Sequence, residues 1–548
     1  MILNKINRNY LIIATLWVAI IYILYTALLQ PLYGNPTIYP LHSYILAIEN
    51  NLYFTLPNDL YSNVKYEPSF HTLLYVLLLA LFYKVFLYLD FFVVHHDYIP
   101  RIFTIFIYLF ITYIINKIFL KLKINDIFYR SLYLIGFLSL TVVYFSVMMP
   151  TMDPSLTALC LLLVFYFFIN NETVDTKKAF LQLTFLSVLA ILSKETTGAI
   201  GLFIIFFYFT FIEKKIFIKY TFMIGFLTIF FATMIHIILC KLYGLDPMLI
   251  INATLHHTGN RAISLHNIFL YIKVILLLFS PLLIIVLFNI LKNIKINKIN
   301  ILFLIIIVII SLIYFKQGIT QPRYLLAFLP ILYIITIINL EHKMKVSKKT
   351  YFYALLLIIY FYIVFDDPIA SLSSFATMTS QELFINLFSY ILPFLILFIK
   401  RFNFKEYLII YLLLNIYLLF QYSSHNYLKY IAHGQKGYSE SLDILKKSDE
   451  FIVSDISGVE YYFRNRILYP ITPKSHYFTS NIEEHNISRK VNADRLNHIN
   501  ILINDGGFYI FTTANSNLER YIIDKNKDGY SCTEIIKQDF ILLKCKRN

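Results

Sequence analysis

Residues 71–90 read HTLLYVLLLALFYKVFLYLD, an apolar run long enough to cross a bilayer, and whether it crosses decides the fold. The charges elsewhere supply the test. Lys117, Lys121, Lys123 and Arg130 fall in one gap between apolar runs, and Lys214, Lys215 and Lys219 in another. Lys292, Lys295 and Lys298, then Lys343, Lys345, Lys348 and Lys349, then Lys400, Arg401 and Lys405 follow at every second gap. Short cytoplasmic loops retain Lys and Arg, so these gaps share one side with the basic N-terminus, MILNKINRNY. A crossing at 71–90 would invert every later loop and place all the Lys-rich gaps outside. The run therefore reads as a helix that lies in the outer interface or re-enters, without crossing.

Composition agrees with a polytopic membrane protein. The chain is 59% hydrophobic and only 14% charged, with a mean hydropathy of +0.67, far too apolar for a soluble protein of 548 residues. The net charge of +15 calls for no nucleic acid, because most of the excess sits in the loops that orient the helices and meet anionic headgroups. With 45 Tyr and 51 Phe against one Trp, interfacial anchoring falls to Tyr. Cys160 and Cys240 lie in apolar runs as ordinary core thiols. Cys532 and Cys545 lie on two strand-like runs where a hairpin disulfide can form, and the sequence leaves that pairing open. No zinc spacing occurs. The first apolar run has no small-residue cleavage site and reads as a retained span.

The expected crossings are 11–29, 102–120, 131–148, 155–170, 179–194, 197–212, 219–241, 267–290, 300–315, 324–341, 351–365, 384–400 and 405–421. That is about 13 transmembrane helices, N-terminus in and C-terminus out. The fold class is thus mostly α, with a membrane domain over 1–421 and a small α/β domain over 422–548. Within the first, the outer loop at about 30–100 is too long to be a mere connector. In the second, FIVSDI, ILYPI, INILIND, GFYIFTTA and FILLKC alternate with helix-like stretches such as SESLDILKKSDE.

Three residues at outer helix ends could carry chemistry. Asp153, in TMDPSLTALC, precedes Pro at a helix start; that is a standard N-cap, and it also leaves a carboxylate at the outer mouth. Lys194, in LAILSKETTGAIG, sits where two apolar runs meet, either snorkelling beside Glu195 or binding an anion. Arg323 opens a crossing in QPRYLLAFLP beside Tyr324; a cation there opposes the helix dipole, so capping does not explain it, whereas phosphate binding or interfacial anchoring does. The first loop adds His42, Asp59 and Glu67 among other solvated residues. The pairs His95–His96 and His256–His257 lack the spacing of a metal site.

In order along about the first 340 residues, KYEPSFHTLLYVLLLALFYKVF, the arginine of YIPRIFTIFIYLF, TMDPSLTALCLLLVFY, LAILSKETTGAIG and QPRYLLAFLP resemble the integral-membrane GT-C glycosyltransferases. The branch is that of protein O-mannosyltransferases and aminoarabinose lipid A transferases. The resemblance implies a transferase that moves a sugar, a mannose-like hexose or a pentose, with inversion. The donor is a polyprenyl or dolichyl phosphate, and the acceptor a hydroxyl, amine or phosphate of a lipid, glycan or protein. It implies that Lys194, Arg323 and Tyr324 meet the donor phosphate, that Asp153 matches an acid able to hold Mg or Mn, and that Glu67 matches the acid before the Pro-containing segment. It also implies the plasma membrane of a prokaryote, with the active site and C-terminal domain outside the cytoplasm. One departure stands out: where the branch carries an early first-loop acid, YPLHSYILA offers only His42. The base for the acceptor is then Glu67, with Asp59 and His42 as substitutes.

Two other classes fit less well. A transporter or flippase of lipid-linked sugars favours midplane charges and internal repeats, and neither is visible. A non-catalytic scaffold of the same fold is consistent with the absent early acid.

Overall fold

A computed structural model describes residues 2–28, 38–53, 72–88, 98–148, 153–171, 176–245, 298–317, 323–338, 348–364, 437–454, 459–470, 507–513, 530–538 and 540–547, with isolated positions between them. The chain divides into two compact units. The first comprises residues 1–29, 101–238 and 255–425; the second comprises 30–100, 239–254 and 426–548. The first outer loop thus clusters with the C-terminal region, a grouping that hydropathy gives no hint of.

In the helical unit, α1 (Ile2–Leu28) precedes α4 (Ile99–Lys121), α5 (Ile127–Leu138) and α6 (Thr141–Met148); α2 (Ile38–Glu49) and α3 (Leu74–Tyr88) belong to the other unit. A π-helical turn at Asp153–Thr157 opens α7 (Ala158–Asn170), followed by α8 (Lys177–Ser193), α9 (Glu195–Phe207) and α10 (Ile218–Leu242). Then come α11 (Ile299–Gln317), the single turn α12 (Arg323–Leu326), α13 (Leu329–Ile338) and α14 (Lys348–Val364). Among the described residues, three helices are long and apolar enough to cross a membrane: Ile99–Lys121, Glu195–Ile212 and Ile218–Leu242. The expected crossings at 267–290 and 384–400 lie outside the described residues, and 405–421 is described only at isolated positions.

One expectation needs correcting. The run at 131–148 is two helices, because α5 stops at Leu138, where Ser139 Oγ turns back to the Gly136 carbonyl at 2.9 Å and α6 restarts at Thr141. Side-chain hydrogen bonding to the preceding turn is invisible to hydropathy. The N-terminal end of α5 is set by Asp126, whose carboxylate accepts from Phe128 N at 2.8 Å. Tyr333 on α13 donates to the Tyr133 carbonyl on α5 at 2.5 Å, a buried bond within the helix packing. In α10 only 17% of the most apolar window is buried, so its Phe222, Phe226 and Phe230 face outward as a peripheral membrane helix requires.

In the second unit, α2 (Ile38–Glu49) and α3 (Leu74–Tyr88) pack as a pair. The helix expected at 71–90 contains α3, of 15 residues. Its inner face, Tyr75, Val76, Leu79, Ala80 and Tyr83, is buried, while Leu81, Val85 and Tyr88 stay exposed.

The C-terminal part contains α15 (Tyr438–Lys446), β1 (Phe451–Ser454), α16 (Val459–Phe463), β2 (Ile467–Pro470), β3 (Phe508–Thr513), β4 (Tyr530–Lys537) and β5 (Phe540–Arg547). The strands form one sheet in the order β2-β1-β3-β5-β4, with β1 parallel to β2 and β3, and β5 antiparallel to β3 and β4. Four of the five strand-like runs read from sequence are strands; the fifth, at 499–505, lies outside the described residues. Strand β3 alternates Tyr509 and Phe511 on one face with Phe508, Ile510 and Thr512 on the other, and all five are buried, as in a strand covered on both sides. Cys532 and Cys545 face each other across the β4–β5 ladder and form a disulfide with Cα atoms 4.0 Å apart. Such bonds persist in oxidising compartments.

Candidate functional site

The sequence places Lys194 at the meeting of two apolar runs, and the structure makes that meeting an elbow. Lys194 is the one residue between α8 and α9, with extended backbone (φ −164°, ψ 117°), and helix resumes as Gly198 N–H bonds to the Lys194 carbonyl at 2.8 Å. The elbow is tight: a Cβ on Gly198 would lie 2.1 Å from the Ala190 carbonyl oxygen. Glu195 in the first turn of α9 suits the positive end of that helix. The Lys194 side chain is only 5% exposed.

Against this elbow packs the π-helical turn that begins at Asp153. Ser193 Oγ lies 3.2 Å from Thr157 Oγ1 and 2.7 Å from the Ala190 carbonyl, and Ser155, Thr157, Ser193 and Thr197 are all fully buried. A π turn widens the backbone locally and recurs at functional sites. The single turn α12, carrying Arg323 and Tyr324, packs against the same π turn, and α11 packs against both α12 and α9. The elements bearing Asp153, Lys194 and Arg323, 170 residues apart in sequence from first to last, therefore converge inside the helical unit.

The first-loop residues fall elsewhere. His42 is on α2 in the second unit, fully buried, and its Nδ1 donates to the Leu52 carbonyl at 2.7 Å. Burial lowers its pKa from 6.5 to about 4, more than the bond to Leu52 restores. The imidazole is thus neutral at pH 7, and so low a pKa makes it a weak base. Asp59 and Glu67 lie outside the described residues.

Among the described residues no three His, Cys, Asp or Glu side chains gather as a metal site. The buried polar side chains described at the elbow and the π turn are hydroxyls, with the Lys194 ammonium, a set that suits an anion better than a second cation. A cavity of about 370 Å³ occurs at the opposite ends of α7 and α9, lined by Ile169, Tyr208, Phe209, Glu213, Lys215 and Lys298. It lies among the Lys-rich loops, away from the elbow.

Sequence reading underrated two groups. Arg101, quoted only within a motif, is fully buried at the start of α4, with Nε 3.4 Å from the Met148 carbonyl and Nη1 3.4 Å from that of Leu28. It caps the C-terminal ends of α6 and α1, where a cation is favoured. Tyr461, Tyr462 and Arg464 form the second group. Their signal in the sequence was the aromatic and basic cluster EYYFRNR at 460–466.

An apolar helical unit with polar residues gathered at a helix elbow, and a second unit that contains a small mixed sheet, define the architecture to be compared. The solved structures make the class more particular. The chain is similar in structure to ArnT from Cupriavidus metallidurans, an aminoarabinose lipid A transferase, bound to undecaprenyl phosphate (TM-score 0.60) and in the apo state (0.63), with 12% sequence identity and 97% of both chains covered in each case. At that identity the likeness is one of fold. No protein-family model and no curated protein sequence matches the chain.

Proposed function

We propose that the protein is a membrane glycosyltransferase that takes a sugar from a polyprenyl phosphate carrier and transfers it, with inversion, to an acceptor on the outer membrane face. The observation that carries this reading is the convergence of the Asp153 turn, the Lys194 elbow and α12 within one helical unit. The fold shared with an ArnT structure that holds undecaprenyl phosphate supports the same carrier chemistry.

The chemistry follows from charge. As the bond from the sugar to the carrier phosphate breaks, negative charge grows on the phosphate. Lys194 and Arg323, with Tyr324, meet that charge where little water competes, which lowers the barrier by preorganised electrostatics. Glu67 removes the acceptor proton, with Asp59 and His42 as substitutes; the low pKa of His42 makes it the least suited. Asp153 faces the question of a divalent cation, Mg or Mn. Because the buried polar side chains described at the elbow are hydroxyls and an ammonium, we assign the phosphate to the two cations and route no step through a metal. The sugar is a hexose or pentose, and the acceptor is a lipid, glycan or protein.

Membranes containing the protein, supplied with radiolabelled polyprenyl-phosphate sugars, test the reading by where the label goes. Label should leave the carrier. Lys194→Gln and Arg323→Gln should each lower transfer by about 10²-fold or more while the protein still accumulates. Glu67→Gln should lose turnover and keep donor binding. Full transfer by the Lys194→Gln, Arg323→Gln double variant would remove the phosphate assignment.

A further inference from the structure

Where α9 ends, two departures from regular backbone follow one another. The helix closes in a π turn at Tyr208–Ile212, with Glu213 N–H bonding back to the Tyr208 carbonyl at 3.1 Å. Lys214 then takes the left-handed conformation (φ 58°), unfavourable for a residue with a β-carbon. The turn brings Lys215 back over the helix end: its N–H donates to the Phe209 carbonyl at 2.8 Å, and its carbonyl accepts from Val174 N at 3.1 Å. Both kinds of departure recur at functional sites, held in place by the structure around them.

What they frame is the cavity of about 370 Å³ among the Lys-rich loops, within the ~300–1,000 Å³ of small-molecule sites. Its aromatic side is Tyr208 and Phe209, both buried, with Phe209 stacked on Phe168 at 4.3 Å between centroids. Its charges are Glu213, Lys215 and Lys298, all within the helical unit. Glu213 is fixed, because Tyr208 Oη donates to its Oε1 at 2.9 Å. Lys215 is fixed as well: Nζ donates to the Phe168 and Asn171 carbonyls at 2.7 and 3.3 Å, at the C-terminal end of α7, where a cation is favoured. Lys298, just before α11, is exposed. Capping accounts for Lys215. It does not account for a carboxylate and a second ammonium placed around the same open space.

We propose that this cavity binds the phosphate–amine headgroup of a lipid, phosphatidylethanolamine, in the leaflet on the side of the Lys-rich loops. A ligand that answers both signs of charge must carry an anion and a cation close together, and phosphoethanolamine carries them two carbons apart. The phosphate meets the two ammoniums, and the ligand's ammonium meets Glu213. A purely anionic headgroup would satisfy the lysines and set a like charge against Glu213. The lipid-facing surface of α9 argues for a lipid over a soluble zwitterion. Phe203, Phe207 and Phe211 are exposed and form a ladder with centroids 6.2 and 5.0 Å apart, and the last of them belongs to the same π turn as Tyr208 and Phe209. Acyl chains leaving a headgroup in the cavity would lie along these rings. Basic pockets between membrane helices recognise headgroups in this way. The site is at the opposite ends of α7 and α9 from the elbow, so it stands apart from the transferase reading.

The test titrates the purified full chain, stripped of lipid in detergent, with phosphatidylethanolamine or phosphatidylglycerol and counts bound lipid by native mass spectrometry. Phosphatidylglycerol keeps the phosphate and lacks the amine, so the parent should bind it about 10-fold more weakly. Glu213→Gln keeps an acceptor for Tyr208 and removes the charge; it should weaken phosphatidylethanolamine about 10-fold and phosphatidylglycerol by less than about 2-fold. Lys298→Gln should weaken both lipids. Lys215 stays intact because it also caps α7. Equal affinity of the parent for the two lipids, or phosphatidylethanolamine binding unchanged in both variants, would overturn the proposal. Free phosphoethanolamine that displaces the bound lipid at equal concentration would make the ligand a soluble one and refute the lipid assignment. If Glu213→Gln does not accumulate, the parent's preference together with Lys298→Gln decides. Binding is read without sugar donor, so a parent that transfers no sugar leaves this result standing, and a cavity that binds no lipid leaves the transferase reading untouched.

Discussion

Burial holds the His42 imidazole at a pKa of about 4 because no solvent reaches the cation that protonation would create. The unfolded chain binds that proton near 6.5, so between the two values the unfolded state carries more protons than the folded one. Stability associated with His42 is therefore complete above about pH 6.5 and is lost as pH falls toward 4, by on the order of 3 kcal/mol. Thermal unfolding in detergent at pH 7.5 and pH 5 should show a larger drop in midpoint for the parent than for His42→Gln, which keeps a donor for Leu52 and cannot titrate. Equal drops would place the acid sensitivity elsewhere. At this scale the sequence is legible where a residue offends its surroundings: Lys194 stands out as an ammonium in an apolar run. It is illegible where a partner is remote. Tyr461 meets Tyr83 across 378 positions and Tyr462 meets Leu32 across 430, and no local pattern announces either.

Among elements, the elbow between α8 and α9 depends on backbone approach. A Cβ on Gly198 would strike the Ala190 carbonyl, which belongs to the α8 backbone and cannot rotate away, whereas a Cβ on Gly201 would meet only the Leu161 side chain at 2.5 Å. Gly→Ala in a helix interior ordinarily gains about 0.5–1 kcal/mol, so two opposed effects compete and the neighbour decides. Gly198→Ala should lose more than that gain through overpacking, about 1–3 kcal/mol or more. It should also weaken donor binding by displacing Lys194. Gly201→Ala should stay within about 1 kcal/mol of the parent if Leu161 changes rotamer. Thermal midpoints and donor titrations of the two variants check the ranking, and equal behaviour would show that the elbow yields. Helix positions were legible here because apolar runs reveal buried and lipid-facing segments alike. The α5–α6 break was not, since it comes from one hydroxyl bonding to the preceding turn.

For the whole molecule, the alternation of Lys-rich and Lys-poor loops and the disulfide are two independent indicators of sidedness. Lys and Arg are retained in cytoplasmic loops, and a disulfide persists where the surroundings oxidise; both agree with the proposed topology, in which α3 does not cross and the C-terminal strands lie outside. A crossing α3 would place the basic loops outside and Cys532–Cys545 in the reducing cytoplasm, contradicting both. Cys160 and Cys240 are buried, at 5% and 3% exposure, so they give little background to thiol labelling. In intact cells, single cysteines introduced in loops 121–130, 292–298 and 343–349 should resist an impermeant maleimide and react only after the membrane is opened. Cys532 and Cys545 should become reactive in intact cells once an impermeant reductant is added. Labelling of all three loops from outside, together with a C-terminal pair that stays closed to both reagents until lysis, would turn the molecule over and with it the outer-face chemistry assigned to Lys194 and Arg323.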